Sequence, residues 1–556
     1  YKRQVLAKLN KNKKVEDGTL DGAIKATTKI DDTTGKASAK FTDLDLGLYL
    51  VQETKAPSQI VNKTANFLVS VPMTNAAGKA WNYDVVAEPK NAAVYAGINL
   101  IKKGTTIKAD GTLETVNLAG VTFVLQSRPT GSDDSVTWTN VGSYTTESDG
   151  TINVNDLAPN DYRFIETGLG ENNGYILNGK PYEFTVQNDG KIKVGSKEPT
   201  DIATITADNE KPDLKKEVKN GNTYENAADA SIGDMVEWKV SASVPSNVDQ
   251  LEKYSITDKM SSALTWVEAE AALNITYKSN GTPVNAETTD YTLIKPTDNQ
   301  EGGSWTIEFT EAGKTKLKTN NISSIEVTFK TKLNEKANIG SAGNLNDAQL
   351  DYSNATNPND GKKPGEDHIK DQAKVYSFAI DMTKVDGNNT ATKLEGVHFD
   401  LYKYSGTVTE PTESDLKGSG KKINTTDLVT DINGKITVKG LENGNYYLVE
   451  TKAAAGGYNL LKAPVKVVIA QEYSVEKKTT VTKDAEGNVT STTTVVNKTF
   501  TGGDENNAGT YSVTIENRKG FTLPKTGDIG TAMFLIIGIG GMLAAVYIML
   551  RGRKRA

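Results

Sequence analysis

Runs of alternating apolar and polar residues recur along the chain, and they restrict its fold more than any other feature. "VTFVLQ" (121–126), "YEFTVQ" (182–187) and "IEVTFK" (325–330) have a period of two, bounded by Asn, Gly and Asp turn clusters. That period puts successive side chains on opposite faces of a half-buried strand. Apolar residues at helical spacing are scarce outside the extreme C-terminus, so the chain reads as all-β. At 556 residues it exceeds what one core can organise, and several β-sandwiches in series are expected.

Internal similarity sets the units. "LAPNDYRFIETGLGENNGY" (157–175) and "LENGNYYLVETKAAAGGY" (441–458) share a turn, an alternating strand and a Glu-Thr end at Glu166 and Glu450. A third copy, "LYLVQET", ends at Glu53. Upstream, "LAGVTFVLQSR" (118–128) matches "LEGVHFDLYKY" (394–404), and "INLIKKG" (98–104) matches "IDMTKVDG" (380–387). Downstream, "TADNEK" (206–211) matches "TIENRK" (514–519). The same four pieces in the same order make residues 92–211 and 376–520 two copies of one sandwich. Residues 212–375 between them follow another pattern, with "SIGDMVEWKVSASVP", "YSITDKMSSALTW" and "NLNDAQLDYSNATNP". "NPNDGKKPGEDHIKDQ" (357–372), rich in Pro, Gly and charge, reads as a linker, and the Thr-rich 475–496 as a hairpin protruding from the last unit.

Composition removes several classes of function. The net charge is −6 and no basic patch stands in the body of the chain, which argues against nucleic-acid binding. There is no cysteine and there are two histidines, His368 and His398, so disulfides are excluded and metal or nucleophilic sites are poor candidates; no metal and no cofactor are expected. The chain opens on Tyr1 without an initiator Met or a secretory leader, which reads as a start after signal cleavage or inside the first domain.

The C-terminus carries the strongest signal. Ile529–Leu550 is 22 residues without a charge, long enough as a helix to span a hydrocarbon layer of about 30 Å. Arg551, Arg553, Lys554 and Arg555 follow it as a cytoplasmic stop. Just before the span stands Leu523-Pro524-Lys525-Thr526-Gly527. Leu-Pro-x-Thr-Gly, an apolar span and a basic tail in this order resemble the sorting signal of Gram-positive surface proteins, the substrate of sortase transpeptidases. The resemblance implies attack of a sortase cysteine on the Thr526 carbonyl, release of Gly527 onward, and an acyl group that needs an amine. Pro524 suits the role because it keeps the segment extended.

The repeated units resemble the Cna B-type immunoglobulin-like domains of Gram-positive pilins and adhesins, whose Tyr-x-Leu-x-Glu-Thr strand is called the E-box. The middle unit resembles the Cna A-type domain of fimbrial subunits, through its Ile-Thr-Asp and Tyr-Ser-Asn motifs. The resemblance implies an intramolecular isopeptide bond between a lysine and an asparagine, assisted by a buried acid. Strand alternation then selects the lysines. Ile98, Leu100 and Lys102 share a face, as do Ile380, Met382 and Lys384, while Lys103 points away; Leu214, Lys216 and Val218 favour Lys216 over Lys215. The expected triads are Lys102–Asn209 with Glu166, Lys216–Asn354 with Asp258, and Lys384–Asn517 with Glu450. Glu53 has no lysine–asparagine pair to join.

Trp81–Asn91, "WNYDVVAEPKN", reads as a short strand-like run. It resembles the pilin motif Trp-x3-Val-x-Val-x-x-Lys of backbone pilins, with Ala87 for the usual Val and Glu88 for the usual Tyr. That resemblance implies Lys90 as the amine that a pilin-class sortase joins to Thr526 of the next subunit.

The expectation is thus an all-β chain of tandem Ig-like sandwiches, Cna B-type and Cna A-type, followed by a sorting signal with one transmembrane helix. Its domains are expected at 1–91, 92–211, 212–375, 376–520 and 521–556, with the span at 529–550. It is expected to be the major subunit of a sortase-polymerised fibre anchored to peptidoglycan at the cell surface, not an enzyme. Expected partners are pilin-class and housekeeping sortases, other copies of itself, minor pilins, peptidoglycan and host surface ligands. A monomeric wall-anchored adhesin and a minor pilin are the alternatives; the first would not need Lys90.

Overall fold

The computed structural model describes residues 24–520 apart from 31, 34, 35, 271 and 357–362. The sorting signal, the apolar span and the basic tail lie outside the described residues. Within them no helix is long and apolar enough to cross a membrane.

The alternating runs form strands, and the two similar units are similar in detail. In 92–211 the strand Ala96–Ile107 pairs antiparallel with Leu113–Asn117 and Thr151–Leu157, and parallel with the closing strand Ile202–Lys211. A second sheet, with Thr122–Arg128 and Asn160–Gly168 at its centre, packs over it around Phe123, Leu125, Phe164 and Phe184. In 376–520 the strand Phe378–Asp386 likewise pairs antiparallel with Asn389–Lys393 and Lys435–Leu441, and parallel with the closing strand Thr510–Asn517. His398–Lys403 and Gly444–Lys452 form the centre of its second sheet. First and last strands are therefore direct neighbours in each copy, and the two ends of the unit meet.

The middle unit is larger. Trp238, Trp266, Trp305 and Phe329 fill its core, and one helix, Glu311–Thr319, is capped by the Thr310 hydroxyl accepting from Gly313 N. The run that reads as a linker is partly a strand. Of Glu366–Tyr376, every residue but Tyr376 pairs antiparallel with Asn344–Ser353. Composition misleads here because the acidic side chains find partners on neighbouring strands. Asp371 accepts from Lys216 N and from Lys477 Nζ, Asp367 accepts from Val489 N, and His368 stands against Asp351.

The Thr-rich segment forms a hairpin of Glu472–Lys483 and Val489–Thr501, but it does not protrude. It lies along the middle unit, with Thr490–Thr492 running parallel to His368–Lys370. At its tip Asn488 Oδ1 accepts from Asn354 Nδ2 at 3.2 Å. The neighbouring Leu177–Asn178 of the preceding unit pairs with Ala355–Thr356. The hairpin of the last unit thus reaches the junction between the two units before it. Its apolar–polar alternation was met by an open edge of another unit, which no local pattern announces.

Residues 24–95 make four two-stranded ladders among the described residues, including Gly47–Val51 with Phe67–Val71 and Ile60–Asn62 with Ala92–Ala93. None of these residues is buried, and of Trp81–Asn91 only Trp81–Asn82 is strand. The strand-like reading of the rest of that run does not hold: Val85–Asn91 has no ladder partner.

Candidate functional site

Three lysines stand fully buried within the first strands of their units: Lys102, Lys216 and Lys384 are each 0% exposed. A charged amine there would be costly, so each draws in polar partners. In the two similar units the parallel register is the same. Lys102 lies opposite Ala207 and Asn209 opposite Gly104; Lys384 lies opposite Ile515 and Asn517 opposite Asp386. Lysine and asparagine thus sit two steps apart on one sheet face, both pointing at the second sheet. From that sheet Glu166, opposite Phe123, and Glu450, opposite Phe399, point back.

The contacts follow. Asn209 Nδ2 donates to Glu166 Oε1 at 2.5 Å, and Lys102 Nζ is 3.6 Å from Glu166 Oε2 without a hydrogen bond of its own. Asn517 Nδ2 donates to Glu450 Oε1 at 2.5 Å, Lys384 Nζ is 3.6 Å from Glu450 Oε2, and Lys384 Nζ meets Asn517 Oδ1 at 2.6 Å. Burial pushes the Lys102 amine below its ordinary pKa, and the Lys384 amine down to about 8, against the opposing pull of the acid beside each. Burial raises the Glu166 carboxyl. At Lys102 a neutral amine and, in Glu166, an acid that holds its proton are therefore favoured together.

The middle unit has the same lysine and acid with a different amide. Lys216 Nζ lies 2.6 Å from Asp258 Oδ2, with the Phe329 ring 4.4 Å and the Trp238 ring 5.1 Å from it. Burial pushes Lys216 down and Asp258 up to about 6. The structure does not bring Asn354 to this pair. Its side chain is half-buried one residue past the strand Asn344–Ser353, bonded to Asp367 and Asn488 at the junction of units. Asn346 is there instead. It is 0% exposed, and the register sets Ala348 opposite Asp258 and Asn346 opposite Met260, so Asn346 and Asp258 are diagonal neighbours on one face. Its carboxamide lies against the Asp258 carboxyl and opposes the rise in that group's pKa, without closing a bond of normal geometry. Alternation alone cannot separate the two asparagines, since both fall on even positions. The signal that could is the end of the apolar run at Tyr352, which leaves Asn354 in a turn and Asn346 inside the strand.

Lys103 and Lys215 sit off these sites, half-buried and exposed respectively. Lys90 is exposed, in the unpaired run before Ala92–Ala93. Glu53 does have a partner: Asn91 Nδ2 donates to Glu53 Oε1 at 2.9 Å, the acid–amide contact of the two later units. Among the described residues no lysine amine contacts that pair. Leu523, Pro524, Thr526 and Gly527 lie outside the described residues. No group of metal ligands occurs among the described residues.

Four family models match the chain. A Gram-positive pilin subunit D1 N-terminal domain matches 2–92, and a prealbumin-like fold domain matches 103–200 and 378–485. A Gram-positive pilin backbone subunit 2, Cna-B-like domain, matches 232–357, where the motifs resembled the A type. An LPXTG cell wall anchor motif matches 515–556. The trypsin-resistant surface T6 protein of Streptococcus pyogenes serotype M6 is 25% identical over 402 residues, 64% of this chain and 71% of that one. The fimbrial subunit type 1 of Actinomyces viscosus is 45% identical over 74 residues, 13% of this chain and 14% of that one. Among solved structures, the T6 backbone pilin of serotype M6 Streptococcus pyogenes is 19% identical with a TM-score of 0.48, over 76% of this chain and 99% of that one.

Proposed function

The chain belongs to the backbone pilins of Gram-positive bacteria and is a wall-anchored surface protein, and from that premise we propose that Thr526 and Lys90 are the two ends of a head-to-tail covalent polymer. A sortase thiolate attacks the Thr526 carbonyl, the Thr526–Gly527 amide breaks, and the Gly527 amine leaves with a proton. The neutral Lys90 amine of the next subunit then attacks the thioester, and the thiolate leaves. Such heterologous contacts do not close, so they give an open fibre. The observation that carries this reading is an exposed lysine in an unpaired run at one end of a row of folded units, with the Leu523–Gly527 signal at the other. Attack of a peptidoglycan amine on the last acyl group, held as a thioester by a housekeeping sortase, would end growth at the wall as the thiolate leaves.

Within each unit the neutral lysine attacks Cγ of its asparagine, the Cγ–Nδ2 bond breaks, and the acid beside the amide gives its proton to the departing ammonia and takes one from the lysine nitrogen. The pairs are Lys102–Asn209 with Glu166, Lys384–Asn517 with Glu450, and Lys216–Asn346 with Asp258. Each bond joins strands near the two ends of its unit, where tension along the fibre enters, so force meets a covalent bond before it meets a core. This is how a chain without cysteine holds itself together outside the cell.

Boiling cell-wall extracts in SDS tests the polymer. A high-mass ladder in the wild type that collapses to monomer in Lys90→Ala and in Thr526→Ala is expected. A single unladdered band in the wild type would leave a monomeric adhesin as the reading.

A further inference from the structure

Lys90 is held from one side only, and the groups that hold it serve no other part of the proposed chemistry. From Tyr83 to Pro89 no backbone hydrogen bond ties the run to its unit among the described residues. Immediately after Lys90 the ties become dense. Thr64 Oγ1 donates to the Lys90 carbonyl at 2.8 Å and lies 2.9 Å from Asn91 Oδ1, so its one proton is shared between two acceptors. Thr64 N donates to Asn91 Oδ1 at 2.8 Å, and Asn91 Nδ2 donates to Glu53 Oε1. Ala92–Ala93 then joins the ladder with Ile60–Asn62, and Val94 N donates to Gln59 O. Thr64 and Glu53 are half-buried, whereas Lys90 is exposed.

We infer that Glu53, Asn91 and Thr64 form a clamp that positions Lys90 for the incoming acyl group. They are positioning residues, because none of them touches the ε-amine. The same acid–amide contact that stands beside a buried lysine in the later units here stands beside the main chain of an exposed one. Asn91 is satisfied at both ends of its carboxamide, which fixes its backbone; the peptide carbonyl before it is fixed by the Thr64 hydroxyl. The Lys90 Cα is thereby anchored at its C-terminal side while its side chain stays free to enter a sortase. Without the clamp, the unpaired run extends by two residues to Ala92, and the enzyme must order them on binding. Ordering one residue costs enough to slow an acceptor step roughly tenfold.

This rests on Lys90 being the acceptor, and the experiment separates the two claims. The full chain is expressed in its producing bacterium, and the ladder and the anchored monomer are quantified in boiled wall extracts. Thr64→Ala and Glu53→Ala should shift material from ladder to monomer by roughly tenfold with total anchored protein unchanged. Thr64→Ser keeps the hydroxyl and Glu53→Gln keeps the acceptor oxygen, so both should restore the wild-type ladder. Cleavage by trypsin after Lys90 should accelerate in the two alanine variants and not in the conservative ones, a readout that needs no sortase. Wild-type ladders in Thr64→Ala and Glu53→Ala, with the ladder absent in Lys90→Ala, would overturn the clamp and leave the acceptor in place. Joint loss of ladder and monomer without rescue by the conservative variants would assign these residues to folding alone and also overturn it. An intact ladder in Lys90→Ala would overturn the acceptor, and the clamp with it.

Discussion

Replacing Asn346 by alanine should remove one cross-link and nothing else from the covalent inventory, whereas replacing Asn354 should remove none. Asn346 lies buried beside Asp258, which pairs with Lys216 Nζ at 2.6 Å; Asn354 bonds to Asp367 and Asn488 at a junction. A bond between Lys216 and Asn346 closes a loop of about 130 residues, and chain entropy gives such a loop roughly 5 kcal/mol of stability. Losing the Asn354 contacts costs about 1–2 kcal/mol, the worth of one or two hydrogen bonds at a half-buried site. Intact mass decides the first half: the wild type should be lighter than its sequence by three ammonia molecules, Asn354→Ala by three and Asn346→Ala by two. Guanidinium unfolding of the middle unit decides the second, with a large drop in midpoint for Asn346→Ala and a small one for Asn354→Ala. Three ammonia losses in Asn346→Ala and two in Asn354→Ala would refute the placement of the amide argued from register and burial.

Glu450→Ala should leave Lys384 and Asn517 unjoined, so the purified variant should fall short of its own sequence mass by two ammonia molecules rather than three, because the carboxyl that holds the Asn517 amide nitrogen and relays its proton is gone; mass spectrometry checks this. The rate at which the last unit closes its cross-link should rise with pH up to about 8 and then level, since the Lys384 amine is held near that value by burial and reacts only when neutral; a mass time course after refolding at several pH values measures it. Lys477→Ala should destabilise the chain by about 1–3 kcal/mol, because it strips a partner from the buried Asp371 while Lys477 itself keeps some access to solvent. Shortening the hairpin Glu472–Thr501 to a tight turn should expose the edge Glu366–Tyr376, read as faster amide hydrogen exchange at His368–Lys370 with exchange in the core around Phe123 and Phe164 unchanged.

Much of this was legible in the residues because local rules and tertiary structure agree. The buried side of Ile98–Leu100–Lys102 and Ile380–Met382–Lys384 follows from alternation alone, and all six side chains are buried. The duplication of four short pieces in one order implied two like sandwiches, and their first and last strands share one register offset. What was not legible depends on pairing between distant segments. Glu366–Tyr376 carries linker composition, yet partners from three other strands satisfy its carboxylates. The hairpin's alternation is plain in the sequence, but the open edge it covers belongs to another unit. The choice of Asn346 over Asn354 needed the register against Asp258, which parity cannot supply. The partner of Glu53 was missed because Asn91 was read only as the end of a motif, not as an amide facing an acid.

The most direct measurement is peptide mapping of an SDS-resistant dimer cut from the ladder. Trypsin cleaves after Lys525, so a polymer joined as proposed should yield a peptide spanning Lys90, uncut at that lysine and carrying a single threonine, Thr526 of the neighbouring subunit, on its ε-nitrogen. A threonine found on another lysine, or a Lys90 that trypsin cleaves normally in the dimer, would contradict the account.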